Sequence, residues 1–410
     1  MYSISMVERE VPDGMAGIIR YENLLAVRTM AQRQPKKSAG CADFGDGAGN
    51  PDRKRRFDRQ VSAEVRYSGG RMSVVSAIMG TAERVPLPDL VIRAAIQRLC
   101  SRTATRLASH DAATDAAFAG RMMLRPIVED SEAGRDEVPA SFFADVLGPC
   151  RKYSCCFYKT DSSTLQEAEE EALRQTVEHA GLADGQTILE LGCGWGSLSL
   201  WMARQFPHAK VTAVSTSQAQ RAHVEAEAQR RGLLNLRVVT ADMNVFAPDG
   251  QFDRIVSVEM FEQMMNWRKL MTRLRSWLAP EGRFFMQIVS HRSGSQLFDR
   301  LDRDDWIAQH VFTGGLMPSH HLVRQFDDVF TVEKEWCWSG THYQRTANDW
   351  LANCDRHRDT IEASLRKVYG EETALWLRRW RWFLLATSGL FGYADGTEWG
   401  VSQYRLKAAG

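Results

Sequence analysis

One stretch limits the possible folds more than any other. From Thr187 to Gly196 the chain reads TILELGCGWG, and the helical pattern LSLWMARQF follows. Glycines at such a turn let the backbone bend tightly and approach a ligand with no Cβ in the way. The next helix then aims its first N–H groups at the ligand's polar end. The GxGxG spacing differs from the GxGxxG of dinucleotide sites and from the GxxxxGK[ST] of phosphate loops. The flanking segments alternate regularly. KVTAVSTS, LRVVTAD, FDRIVSVEM and GRFFMQIVSH read as strands. TLQEAEEEALRQTVEHAGL, QAQRAHVEAEAQRRGL and WRKLMTRLRSWLAPEG read as helices. Thr164 and Glu167 have capping-box spacing. Gly232 closes the second helix, and Pro280 with Gly282 closes the third. Strands and helices alternating at this length predict an α/β fold with a doubly wound, mostly parallel sheet.

The rest of the chain is read around that core. Residues 1–70 are polar and Gly-rich and predict a disordered extension. Residues 71–150 predict a helical N-terminal segment. There Leu90, Val91, Ala94, Ala95, Leu99 and Leu107 recur at helical steps and are expected to pack on the main domain. The core is expected over 151–300. The Trp-rich tail, 301–410, is expected to form a helical cap over the strand ends and the last part of the fold. Basic and acidic residues number 52 and 51, a balance unlike a dedicated nucleic-acid binder. The basic cluster Arg53–Arg56 is a weak local exception. No run of 18 apolar residues appears, and the N-terminus has no apolar targeting core. A cytoplasmic protein with at most peripheral membrane contact is expected, and a homodimer is possible. The eight cysteines are scattered without a CxxC pair, so no paired-cysteine zinc site is expected. His320 and His321 point apart on a strand, and no metal is expected.

Acids complete the pattern. Glu190 lies two residues before the first glycine, and Asp242 follows the third strand. An adenosine ligand sits at such a place on an open α/β sheet. Together these features resemble the class I S-adenosylmethionine methyltransferase (Rossmann-like) fold. A longer series of words narrows the likeness: EVPASFFADVLG, YSCCFY, ILELGCGWGSLSLWMA, AVSTSQAQ, VSVEMFEQMMNW, DDWIAQHVFTGGLMPS, GTHYQRTANDWL, RWRWF and EWGVSQY. In this order, from Glu137 to the C-terminus, they resemble the cyclopropane fatty-acid synthase superfamily, and within it the coclaurine N-methyltransferase-like branch.

The resemblance implies S-adenosylmethionine as cofactor. Tyr153 and Ser154 would touch its methionine end. Glu190, Gly192, Gly194 and Trp195 would line its glycine loop. Ser217 and Gln220 would replace the usual ribose acid, and Asp242 with Met243 would frame the adenine. Glu259, Glu262 and Gln263 would act on the acceptor. Carboxylates can hold a cationic amine and take its proton, whereas Gln263 stands where the branch has His and cannot accept a proton. In the lipid enzymes a bound bicarbonate is the base, held by a Cys, a Glu, a His and a Tyr. Cys155, Glu262 and Tyr343 match three of these, and the His position falls on Gln287. His291 lies four residues on, on the same strand face. Trp380 and Arg381 would sit near the acceptor. Three readings follow: N-methylation of a small amine, favoured by Gln287 and by Glu259, where the lipid enzymes tend to carry Gly; cyclopropanation of unsaturated phospholipid acyl chains; or a cofactor-binding homologue with impaired chemistry, to which Gln263 and Gln287 point.

Overall fold

The computed structural model describes residues 87–128, 138–298 and 315–410. The 1–70 extension, its basic cluster and the segment with Trp306 and Phe312 lie outside the described residues. Three helices come first: α1 (Asp89–Leu107), α2 (Ala112–Met122) and α3 (Ala140–Val146). Next come α4 (Leu165–Ala180), β1 (Thr187–Leu191), α5 (Ser197–Gln205), β2 (Lys210–Ser215), α6 (Gln218–Arg230) and β3 (Leu236–Thr240). Then follow β4 (Phe252–Val258), α7 (Trp267–Trp277) and β5 (Leu278–His291). Two short strands, β6 (Gln296–Leu297) and β7 (Leu316–Met317), pair with each other. The tail gives β8 (Phe330–Ser339), α8 (Gly340–Arg356), α9 (Arg358–Tyr369), α10 (Thr373–Phe391) and β9 (Trp399–Ala408).

The main sheet has seven strands in the order β3-β2-β1-β4-β5-β9-β8. β1 to β5 are parallel, and β9 runs antiparallel between β5 and β8. Thus the tail adds two strands to the sheet as well as the capping helices. Successive side chains on a strand face opposite sides. On β1, Ile188 packs with Leu173 of α4 and Met202 of α5. Its neighbour Leu189 packs with Leu270 and Leu274 of α7. Both faces are therefore covered, as a parallel sheet requires.

Local signals set the helix ends. Thr164 and Glu167 form the reciprocal capping box at the start of α4, and Gly181 ends it in the left-handed region at φ 66. α7 stops at Trp277: Leu278 is already extended at ψ 139, and Pro280 two residues on could not have continued the helix. The N-terminal helix differs from its pattern reading. Leu90 and Val91 are exposed, while Ile92, Ile96, Cys100, Thr103, Ala104 and Leu107 form the buried face. That face meets α10 where Gly389 lets Ile96 approach: a Cβ there would lie 2.5 Å from Ile96 Cγ2. Apolar residues lie on both sides of this helix, so an apolar count alone does not separate the Ile92–Ile96 face from the exposed Leu90 and Val91.

Candidate active site

The glycine turn follows β1 directly. Gly192, Gly194 and Gly196 have φ of 76, 51 and 80, values that side chains rarely adopt. Two of the three are also sterically required. A Cβ on Gly192 would come within 3.0 Å of Met260, and one on Gly196 within 2.6 Å of Val224 on α6. A Cβ on Gly194 would meet nothing within 4 Å, so the crown of the turn is open. Glu190 is buried beneath it and accepts from Ser199 Oγ of α5; burial pushes its carboxyl up to about 8. Trp195 is buried too, its ring 5.0 Å from Phe143 of α3 and 5.7 Å from His223 of α6.

The other strand ends stand beside this turn. After β2, Ser217 caps α6 by accepting from the Gln220 backbone N–H at 3.0 Å. Ser215 Oγ donates to Gln220 Oε1 at 2.6 Å, which leaves the Gln220 amide NH2 as its donor end. After β3, Asp242 Oδ1 accepts from the Asn244 N–H at 2.8 Å, and Met243 is buried. From the loop between α3 and α4 comes Tyr153, 39% exposed although its ring meets Phe143 at 5.1 Å and Trp350 at 5.6 Å. Ser154 is buried, and its hydroxyl accepts from Lys152 Nζ at 2.6 Å. Lys152 was not foreseen. It is itself buried and also donates to the Cys155 carbonyl at 2.7 Å. Its backbone N–H, with that of Cys150, is held by the buried carboxyl of Glu169, at 3.1 and 2.8 Å. Burial pushes Glu169 up to about 7.

The acid pair follows β4. Glu259 sits at φ 52, a strained value for a residue with a Cβ, worth about 1–2 kcal/mol. Its carboxylate accepts three hydrogen bonds. Cys155 N donates to Oε1 at 3.0 Å, Gln287 Nε2 donates to Oε1 at 2.9 Å, and Tyr343 OH donates to Oε2 at 2.9 Å. Glu262 lies one turn on, in the short 3-10 helix Phe261–Gln263. It is 6% exposed. Its Oε1 accepts from Val289 N at 2.5 Å, while its buried Oε2 has no partner. Burial, and secondarily the charge of Glu259, push its carboxyl up to about 8. Burial and the same charge push the Cys155 thiol and the Tyr343 phenol well up. Met260, between the two acids, is the residue that touches Gly192. The acid pair therefore abuts the glycine turn.

The remaining expected residues differ in their surroundings, and of them Trp380 meets Phe143, the ring beside Tyr153 and Trp195, at 6.0 Å between centroids. Gln263 is exposed on the 3-10 turn. His291 is buried at the end of β5, where Nδ1 accepts from the Ser293 and Gly294 N–H groups at 3.2 and 3.0 Å. Its Nε2 lies 3.3 Å from Glu398, and its ring meets Trp399. Burial lowers its pKa to about 4, so it is neutral at pH 7. These contacts join it to β9 and its approach, not to Glu259. Arg381 is bound to Asp355 at 2.6 Å and Asp89 at 3.2 Å, tying α10 to α8 and α1. Trp380 is buried against Phe142, 4.4 Å between ring centroids. Among the described residues no group of three His, Cys, Asp or Glu is placed to hold a metal, and no helix is long and apolar enough to cross a membrane.

The family model for mycolic acid cyclopropane synthetase matches residues 128–395. The chain belongs to that family. It is 34% identical over 292 residues to an (S)-coclaurine N-methyltransferase of Thalictrum flavum subsp. glaucum, covering 70% of this chain and 81% of the relative. It is 29% identical to the cyclopropane-fatty-acyl-phospholipid synthase of Escherichia coli (strain K12), over 63% of each. A crystal structure of coclaurine N-methyltransferase bound to N-methylheliamine and SAH superimposes with a TM-score of 0.76 at 30% identity, covering 82% of this chain and 99% of that one. The seven-stranded, mostly parallel sheet is that of the class I methyltransferases.

Proposed function

We propose that this family member transfers a methyl group from S-adenosylmethionine to the nitrogen of a small amine, with Glu262 as base beside a fixed Glu259 carboxylate. The chain is an S-adenosylmethionine-dependent methyltransferase. The site fits that cofactor. The crown at Gly194 is open, and the Gln220 amide NH2 and the second oxygen of Asp242 are suitable polar partners for an adenosine. Glu190, Gly192, Gly194 and Trp195 would form its loop. Ser217 and Gln220 would serve the ribose, Asp242 and Met243 the adenine, and Tyr153 and Ser154 the methionine end. The cofactor supplies a methyl already activated on a sulfonium, so the protein's main tasks are alignment and exclusion of water.

An amine near neutral pH carries a proton that masks its lone pair. Glu262 is the observation that carries the reading. It is a buried carboxyl, raised toward the range where amines titrate, with one oxygen that bonds nothing. Glu262 Oε2 would take the acceptor's N–H proton and free the lone pair; the bound cofactor would supply the methyl group, keep the S–CH3 electron pair on sulfur and leave as S-adenosylhomocysteine. A cation arriving beside Glu259 and Glu262 favours the ionised form of Glu262. The faces of Tyr153, Phe143 and Trp350 suit a cationic amine and a sulfonium. Cys155, Gln287 and Tyr343 also bear on the choice of acceptor. By resemblance these positions would serve a bicarbonate in the lipid enzymes. Here all three donate to the carboxylate of Glu259, which favours the amine reading over cyclopropanation. The test is Glu262→Gln. Turnover of amines, with coclaurine among them, is expected to be lost while affinity for S-adenosylhomocysteine is kept. Full turnover would sink the assignment of the base.

A further inference from the structure

Glu259 is the end of a longer chain of hydrogen bonds that crosses the sheet. Val258 on β4, Gln287 on β5, Gln403 on β9 and Trp336 on β8 occupy one register row. Gln287 Nε2 donates to Glu259 Oε1 at 2.9 Å, and Gln403 Nε2 donates to Gln287 Oε1 at 2.8 Å. His179 of α4 closes the row: its Nδ1 lies 2.5 Å from Gln403 Oε1, and its ring stacks on Trp336 at 4.0 Å and 6°. Both glutamines are fully buried, and His179 is half-buried.

The polarity of this chain is fixed from one end. An ionised carboxylate only accepts, so Gln287 must turn its NH2 to Glu259. Its carbonyl then needs a donor, which obliges Gln403 to do the same. The Gln403 carbonyl in turn obliges His179 to carry its proton on Nδ1. Packing alone does not call for two buried amides in a central row, where apolar side chains avoid the cost of burying polar groups. We infer that Gln403 and His179 are positioning residues for Glu259, holding the direction of its Gln287 donor from the outer side of the sheet. This rests on the reading that Glu259 belongs to the acceptor site. Without the Nδ1–H donor, Gln403 is free to rotate its amide. Gln287 then loses its reason to present nitrogen rather than oxygen to the carboxylate. Glu178 and Arg174 of α4 and Arg405 of β9 are the charged groups facing His179.

Nitrogen-15 histidine NMR of the unliganded protein reads the chain without any acceptor. Wild-type His179, when neutral, is expected as the Nδ1–H tautomer. Glu259→Gln, whose amide imposes no polarity, is expected to raise the Nε2–H tautomer severalfold. An unchanged His179 spectrum in that variant overturns the inference. Kinetics give the second reading, on whichever amine the wild type turns over. His179→Leu and Gln403→Met should each lower kcat about tenfold or more, since misplacement by 1 Å costs about 100-fold. Affinity for S-adenosylhomocysteine should not change. The double variant should be no slower than the slower single, as for members of one chain. His179→Asn keeps an N–H near the Nδ1 position and should recover most of the loss. Additive singles, or an Asn variant as slow as Leu, would overturn the positioning role. Should Glu259→Gln retain full kcat, the acceptor-site reading fails by itself, and the tautomer result still decides whether the chain exists.

Discussion

Glu262→Gln should change how the fold's stability depends on pH. In the folded protein burial holds the Glu262 carboxyl near 8, against an ordinary value of 4.5. Below 4.5 both folded and unfolded chains keep the proton, and the group is neutral to stability. As pH rises above 4.5 the unfolded chain releases a proton that the folded chain retains. Stability therefore falls with rising pH, at up to about 1.4 kcal/mol per pH unit, and levels off above about 8. Across the window this amounts to roughly 5 kcal/mol, an upper figure because water entry and relaxation soften burial. Gln has nearly the same shape and no proton to lose. The difference in unfolding free energy, variant minus wild type, should therefore rise by up to about 3.5 kcal/mol between pH 5 and pH 8. Glu190 and Glu169 are also raised by burial, but they are common to both proteins and cancel. Urea unfolding at pH 5, 6, 7 and 8 measures the difference. A difference that does not vary with pH would show that Glu262 is not held protonated, and the argument for it as a base matched to amines would fall.

Other outcomes follow from the same geometry. Gly194→Ala meets no atom but must adopt φ 51, so it should fold with a loss of about 1–2 kcal/mol and show weakened S-adenosylhomocysteine binding by calorimetry; unchanged affinity would refute the proposed loop. Gly196→Ala drives a methyl into Val224 and should cost about 1–3 kcal/mol in thermal or urea unfolding, more than Gly194→Ala. Tyr343→Phe removes one of three donors to Glu259, a charged hydrogen bond of roughly 1.5–3 kcal/mol, and should lower kcat on the turned-over amine with cofactor affinity unchanged. Arg381→Ala should leave kcat near the wild-type value and cost about 1 kcal/mol of stability, because its guanidinium is engaged by Asp355 and Asp89.

The core of the fold was legible because its signals are local. TILELGCGWG, the Thr164–Glu167 box and the alternation of apolar runs each act within a few residues. The position of the acid pair was legible for the same reason, as VEMFE closes a strand next to the turn. What escaped depends on distant partners. Lys152 and Glu169 look like surface charges until the fold buries both. Gln403 and His179 gain meaning only through the register of four strands and the placement of α4. Gln403 stands among Val401, Tyr404 and Leu406 in its strand, but Ser402 and Arg405 beside it make one more polar residue unremarkable. β8 and β9 were masked by a tail rich in Trp and helical words. The inward face of α1 was misread because apolar residues lie on both sides of the helix, and only the packing against α10 separates buried Ile92 and Ile96 from exposed Leu90 and Val91. His291 shares strand parity with Gln287, as alternation requires, yet a turn captures its ring beyond the sheet.

The central claim is methyl transfer to nitrogen with retention of every methyl hydrogen. It is tested most directly with S-adenosylmethionine bearing a fully deuterated methyl group, offered with mixed amines and unsaturated phospholipid. Ordinary cofactor does not separate the two chemistries, because both add the same CH2. An amine product that keeps all three deuteriums is the expected result. An acyl chain that gains the carbon but loses one deuterium would establish cyclopropanation. It would contradict the roles given to Glu259 and Glu262.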